Sequence, residues 1–166
     1  MNRLPVSTYR LQLQPSFGFA AALEALDYLR ELGVTDVYTS PFFAAEKGST
    51  HGYNLVDHGR LNAELGTRED FAALARGARD RGLGLVADLV PNHMGIGTDA
   101  NPWWNDVLEN GPGSRYADFF DIDWSPPKES LEGRVLLPIL GSQYGETLEK
   151  GELRLVRDGG RFWVRS

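Results

Sequence analysis

The sequence contains no cysteine. That absence rules out disulfides and thiolate metal sites, and a reducing compartment suits such a chain. There is no surplus of positive charge either: 17 Lys and Arg face 23 Asp and Glu, leaving a net charge of −6. Nucleic-acid binding would need a basic footprint that is missing here. No Lys/Arg run marks a membrane surface, and no stretch of about 18 apolar residues exists to span one. The opening "MNRLPVSTYRLQL" lacks the apolar core of a signal peptide. A soluble, cytoplasmic protein without nucleic-acid or membrane partners is the expectation.

Apolar and aromatic side chains are present in quantity. Hydrophobic residues make up 42% of 166 positions, which suits a globular domain with a core of its own. Aromatics are 11%, with four Trp. The three histidines, His51, His58 and His93, all fall just after predicted strands or in the loops that follow.

Patterning gives an element order. "VSTYRLQL", Val6 to Leu13, has strand composition with alternating Leu. Phe19 to Leu32 reads as a helix: Ala22, Leu26 and Leu29 recur at helical spacing, and Gly33 stops it. "VTDVYTS" is a short strand ended by Pro41. Residues 44 to 66 read as a long polar connection. Thr67 opens a second helix with a capping-box pattern to Asp70, and Phe71, Leu74, Ala75 and Ala78 form its apolar stripe. Gly82 ends it, and Leu83 to Val90 reads as a buried third strand stopped by Pro91.

"YLRELGVTDVYTSP" and "GARDRGLGLVADLVP" echo one another: charged helix end, glycine, strand, proline. Strand–helix–strand–helix–strand is the signature of an α/β fold with a parallel sheet. The echo leaves a barrel and an open doubly wound sheet both possible. Residues 1–95 hold these units. Residues 96–166 differ, with clustered aromatics and Asn/Asp/Gly/Pro turns. They read as the start of an inserted, partly β region. "GRVLLPIL" and "ELRLVRDGGRFWVRS" are its strand-like runs, the latter turning at Asp158-Gly159-Gly160. The chain stops at Ser166 directly after such a run, which reads as an interruption.

In parallel α/β folds, functional groups gather at the carboxyl ends of strands. Asp88, Asn92 and His93 sit at such an end, and so does the "STHGYN" loop. From position alone, Asp88 as a turn cap and His93 as a satisfied loop histidine is as good a reading as a functional pair.

Asp88-x-x-x-Asn92-His93 resembles the first conserved block of the α-amylase superfamily, glycoside hydrolase family 13. "THGYNLVDH", Thr50 to His58, resembles its loop after the second strand. "STYRLQL", "LGVTDVYTSPFF", "NPWWNDVLENGPGSRYADFFDIDW" and "VLLPILGSQYGETLEKGEL" narrow the likeness to the amino-terminal portion of the maltooligosyl trehalose synthase family. The resemblance implies the first three β/α units of a (β/α)8 TIM barrel, with an insertion after the third strand. It implies an intramolecular transglycosylase that converts the reducing-end α-1,4 bond of a maltooligosaccharide, an α-1,4-glucan, to an α,α-1,1 bond. No cofactor is implied.

Residue by residue, Tyr53 matches a tyrosine that stacks on the sugar at the reacting subsite. His93 matches a histidine that hydrogen-bonds a hydroxyl of that sugar. Asp88 matches a carboxylate that orients its neighbours and is not the nucleophile. Asn92 matches a position that binds calcium in many amylases; further ligands are not identifiable, so a hydrogen-bonding Asn is expected and no metal is assigned. His51 and Asp57 are expected to line the site. Of Trp103 and Trp104, one is expected to face the cleft. Phe119, Phe120 and Trp124 are expected in the core of the inserted region.

A retaining glycosidase-type reaction needs a nucleophile and an acid/base carboxyl about 5–5.5 Å apart. In this superfamily both follow later barrel strands, so the resemblance puts them beyond residue 166 and leaves the 166-residue chain inactive by itself. A non-catalytic carbohydrate-binding remnant, or a piece of another superfamily hydrolase, are the alternatives.

Overall fold

The computed structural model describes residues 4–97 and 100–165. In chain order the elements are β1 (Thr8–Leu11), α1 (Phe19–Glu24), α2 (Leu26–Glu31), β2 (Asp36–Thr39), β3 (Phe43–Ala45), β4 (Leu55–Leu61), α3 (Arg68–Asp80), β5 (Gly84–Ala87), α4 (Pro102–Asn110), α5 (Tyr144–Glu149), β6 (Arg154–Asp158) and β7 (Arg161–Arg165). No helix among the described residues is long and apolar enough to cross a membrane.

The organising sheet is β1-β2-β5, all parallel, so the three sequence-read strands pair as expected. Register aligns Leu11 with Thr39 and Ala87, and Arg10 with Tyr38 and Val86. Side chains alternate between faces along each strand. Leu11, Val37 and Leu85 therefore join the helices, packing with Phe19, Ala22, Leu26, Leu29, Leu74 and Ala78. The opposite face presents Arg10 and Tyr38 and is more open.

Each helical layer returns to the sheet through the same turn. Gly33, at φ 85°, lets its N–H reach the Arg30 carbonyl at 3.0 Å while Val34 N–H reaches Leu29 at 3.4 Å. Gly82, at φ 72°, repeats it: Gly82 to Arg79 at 2.9 Å and Leu83 to Ala78 at 2.9 Å. Both are Schellman closures, which glycine enters without a Cβ penalty. They are the physical content of the sequence echo.

Several expectations change. The first helix is broken at Ala25, where ψ relaxes to −12°. Leu29 N–H still reaches the Ala25 carbonyl at 3.1 Å, so the direction is kept. The third strand is shorter than Leu83 to Val90 and is not buried throughout. It pairs only with β2 among the described strands, and beyond Ala87 one bond continues the ladder, Asp88 N–H to Thr39 at 3.2 Å. Leu89 is 59% exposed. The polar connection contains structure: β3 and β4 pair antiparallel with shifted register, a one-turn 3-10 helix covers Ala63–Leu65, and His58 lies within β4 rather than after it. The second helix forms with both halves of its capping box between Thr67 and Asp70.

Past residue 100, "NPWWNDVLEN" forms α4. Its cap Asn101 accepts from the Trp103 and Trp104 amides, both at 3.1 Å. Pro102 occupies a first-turn position that needs no donor. "GRVLLPIL" forms no strand. Pro138 cannot donate to a ladder, and Leu136 and Ile139 stay exposed. The final hairpin forms as read over Arg154–Arg165, with Gly159 and Gly160 both at positive φ, 56° and 81°, as a primed turn requires. Ser166, with which that strand-like run ends, lies outside the described residues. Phe119 is not core: it is 63% exposed, edge-on to Trp103 at 4.9 Å. Phe120 and Trp124 are half-buried.

Candidate functional site

Three loops and strand ends meet around one carboxylate. Asp88 leaves β5 on the open face, two residues past the Arg10–Tyr38–Val86 row. Its Oδ2 accepts from the Tyr38 hydroxyl at 2.8 Å and from the Tyr53 hydroxyl at 2.5 Å. Tyr38 comes from the middle of β2. Tyr53 comes from the loop between β3 and β4, where Gly52, at φ 77°, brings the chain against the Pro41 carbonyl. A Cβ at Gly52 would lie 2.5 Å from that oxygen.

His93 closes the group. Its Nε2–H donates to the Tyr53 carbonyl at 3.0 Å, and Nδ1 lies 3.3 Å from Asn92 Oδ1. His51 works on the same residue: its Nδ1 accepts the Tyr53 amide at 3.0 Å, and its ring stacks on the phenol at 5.9 Å and 23°. Tyr53 is thus gripped at its amide, carbonyl, ring and hydroxyl by residues near and far in sequence, His93 being 40 positions on. The residue nonetheless remains 37% exposed.

The structure therefore brings together Tyr53, Asp88, His93, His51 and Asn92. Asp57 is not part of this group. It sits in β4, bound to Arg60 Nε at 2.6 Å and the Gly59 amide at 2.7 Å. Partial burial raises its pKa, but the Arg60 and Gly59 donors outweigh that and hold it below the usual carboxylate range. Trp103 and Trp104 point apart as adjacent helical residues should. Trp104 is buried against Phe120, while Trp103 lies flat on Tyr116 at 5.0 Å and 8°.

Four residues were not singled out from sequence. Arg10 donates to Gln12 Oε1 at 2.6 Å and to the Tyr53 hydroxyl at 3.4 Å, and Gln12 Nε2 holds the Thr50 carbonyl at 2.9 Å. The bond to Tyr53, foremost, raises the Arg10 pKa, and the Asp88 bond, foremost, raises that of Tyr38. The signal was available: "TYRLQL" alternates, and its polar positions share a parity. Glu46 is the fourth. It accepts from Asn54 at 2.8 Å and from the Gly97 amide at 3.1 Å, stapling the loop after His93 to the loop that carries Tyr53. No local pattern marks it.

Calcium, which the amylase resemblance raised at Asn92, needs six to eight oxygen ligands. Asn92 is exposed, and no group of three or more His, Asp or Glu among the described residues is placed to hold a metal. Concave surfaces of about 520 Å3 on the hairpin and about 570 Å3 between β4 and α3 lie away from Asp88. Convergent polar groups, rather than concavity, mark this site.

A parallel α/β segment with polar groups assembled where the strands end suits an enzyme built either as a barrel or as an open doubly wound sheet. The model of the alpha amylase catalytic domain matches residues 20–151, and the chain belongs to the alpha-amylase family. The solved maltooligosyltrehalose synthase from Arthrobacter ramosus is 46% identical and superposes with a TM-score of 0.84 over 96% of this chain and 20% of that one. A Mycobacterium tuberculosis protein provisionally named maltooligosyl trehalose synthase is 44% identical over 90% of this chain and 21% of its own length. The type III pullulan hydrolase from Thermococcus kodakarensis, at 35% identity, covers only 69% of this chain with a TM-score of 0.57. The chain thus spans about a fifth of the length of the curated relatives named first. Its fold is the amino-terminal part of a (β/α)8 barrel, with a partly β segment following.

Proposed function

We propose that this chain is the amino-terminal segment of an intramolecular transglycosylase acting on maltooligosaccharides, in which the reducing-end α-1,4 bond becomes an α,α-1,1 bond. One observation carries the reading. The likeness to maltooligosyltrehalose synthase, at 46% identity and a TM-score of 0.84, exceeds that to the pullulan hydrolase, at 35% and 0.57. The higher identity and the closer superposition are what separate a trehalose-forming enzyme from a general amylase relative.

In this reading residues 96–166 begin a segment inserted after the third barrel strand. The exposed Tyr53 ring stacks on the C–H face of the reacting glucose. Asp88, fixed by two phenols, orients that sugar through its hydroxyls, and His93 adds a further hydrogen bond. Asn92 and His51 hold His93 and Tyr53 in place, while Asp57, paired with Arg60 in β4, stands outside the site. The nucleophile and acid/base carboxyls lie beyond residue 166, set about 5–5.5 Å apart as a retaining mechanism requires. A cytoplasmic location belongs to the same reading, supported by a cysteine-free sequence suited to reducing surroundings.

The test is product analysis on the full-length polypeptide with maltopentaose. Loss of reducing ends without glucose release, and the NMR signals of an α,α-1,1 linkage, are expected. Reducing oligosaccharides as the products would overturn it in favour of hydrolysis.

A further inference from the structure

Arg10 stands in β1, bonded to the Tyr53 hydroxyl while His93 holds the Tyr53 carbonyl, and nothing in the proposed reaction uses it. Its contacts all lead into the site. Nη2 lies 3.4 Å from the Tyr53 hydroxyl oxygen, Nη1 is 2.6 Å from Gln12 Oε1, and the guanidinium carbon is 5.7 Å from the centre of the Tyr38 ring. The two phenols that Arg10 touches are the two that donate to Asp88 Oδ2.

The chemistry of the donor makes this arrangement directional. A guanidinium has donors and no acceptor. A phenol oxygen that accepts from Arg10 must turn its own proton elsewhere, and the acceptor at hand is Asp88, 2.5 Å away. The planar fork and its seat over Tyr38 fix the group in one plane. Gln12 ties the same fork to the Thr50 carbonyl, within the loop that carries Tyr53.

We propose that Arg10 is a positioning residue for the sugar site: by donating to Tyr53 it sets the direction of the Tyr53–Asp88 hydrogen bond and keeps Asp88 aimed at the substrate. The inference rests on the reading of Tyr53 and Asp88 as sugar-site groups. Arg10 itself need not touch the sugar; it acts through Tyr53. Its effect therefore has to vanish when the Tyr53 hydroxyl is gone.

A double-mutant cycle in the full-length polypeptide tests this. Arg10→Met should lower kcat on maltopentaose about tenfold, the order expected for losing a charge-assisted hydrogen bond, with KM changing far less. Tyr53→Phe should lower it by at least as much. Arg10→Met added to Tyr53→Phe should cost less than about twofold more, because the two share one path. Arg10→Lys keeps the charge and loses the fork, so it should fall between wild type and Arg10→Met; it also serves should Arg10→Met fold poorly. Independent, multiplicative losses would overturn the proposal, as would full activity of Arg10→Met. If the wild type gives reducing products, the transglycosylase reading fails while the cycle still applies to their release. If it neither turns over nor binds maltopentaose by calorimetry, the sugar site and this proposal fall together.

Discussion

The apolar core draws its members from Leu11 to Leu85, joining strands and helices far apart in sequence. Beyond residue 100 the buried apolar side chains among those described are Trp104, Val107 and Ala117, while Leu136, Leu155, Phe162 and Val164 are each more than 60% exposed. The first region is held by a shared interior, the second by local caps, ring contacts and one hairpin. The candidate site follows the same division. Asp88, Tyr53 and Arg10 are locked by long-range bonds in the first region, and among the described residues the second meets that region where Glu46 holds the Gly97 amide, where Asn101 holds the Gly95 carbonyl at 2.9 Å and where the Trp103 ring lies 6.3 Å from that of His58. The candidate site thus sits on a scaffold that continues into a region with little core of its own.

The largest expected effect concerns turnover. Residues 1–166 alone should yield no trehalose-capped product from maltopentaose, because the reacting carboxyls are proposed to lie elsewhere; product above a buffer control from purified monomer would show an acid pair overlooked in this segment. The next effect separates the two regions by stability. Phe19→Ala removes a fully buried ring packed on Phe42 and Phe71 and should cost about 3–5 kcal/mol. Phe162→Ala, on the exposed hairpin face, should stay within about 0.5 kcal/mol. Urea unfolding, followed by amide exchange at Val37 and Leu85, reads both. Similar costs would erase the contrast.

Smaller effects refine it. Thr67→Ala should cost about 0.5–2 kcal/mol through loss of the α3 cap, seen as lower protection of the Asp70 and Phe71 amides. The Thr67 amide, then its hydroxyl, holds the Asp70 carboxyl below the usual carboxylate range. Its stabilisation is complete above the unfolded-state value of about 3.9 and is lost as pH falls through the lower folded value. Protection in that turn should therefore decline on acidification, and Asp70→Asn should flatten the decline. On the proposed role, His93→Ala in the full-length polypeptide should take about 0.5–1.5 kcal/mol off kcat/KM for the loss of one neutral hydrogen bond to sugar, more if it strengthens at the transition state. An unchanged kcat/KM would remove His93 from the site.

Much of the first region was legible because its signals are local and repeated. The glycines at 33 and 82, the Thr67–Asp70 box and the alternation of "TYRLQL" each encode one geometric act. β4 escaped because its buried pair, Leu55 and Val56, is adjacent rather than alternating, and its remainder is polar. α4 escaped because Asn101-Pro102 reads equally as a turn or as a cap. In the site, Asp88, Asn92, His93 and Tyr53 stood out by position and family likeness. Arg10 and Tyr38 did not, since what makes them partners is the strand register, which no single segment contains. Glu46 joins residues eight and 51 positions away and leaves no local mark.

The parallel register also gives the sheet something like a reading frame. Leu83 and Leu85 face the helices, whereas Val86 and Asp88, of the other parity, belong to the open side. A single codon inserted or deleted between Gly82 and Asp88 would exchange these sets, turning the carboxylate into the hydrophobic layer and a leucine towards the open face. Substitutions in this stretch are graded injuries, but changes of length are not. Insertions and deletions should accumulate in the loops around Lys47 and beyond Gly97, and the spacing from Gly82 to Asp88 should hold even where its letters drift.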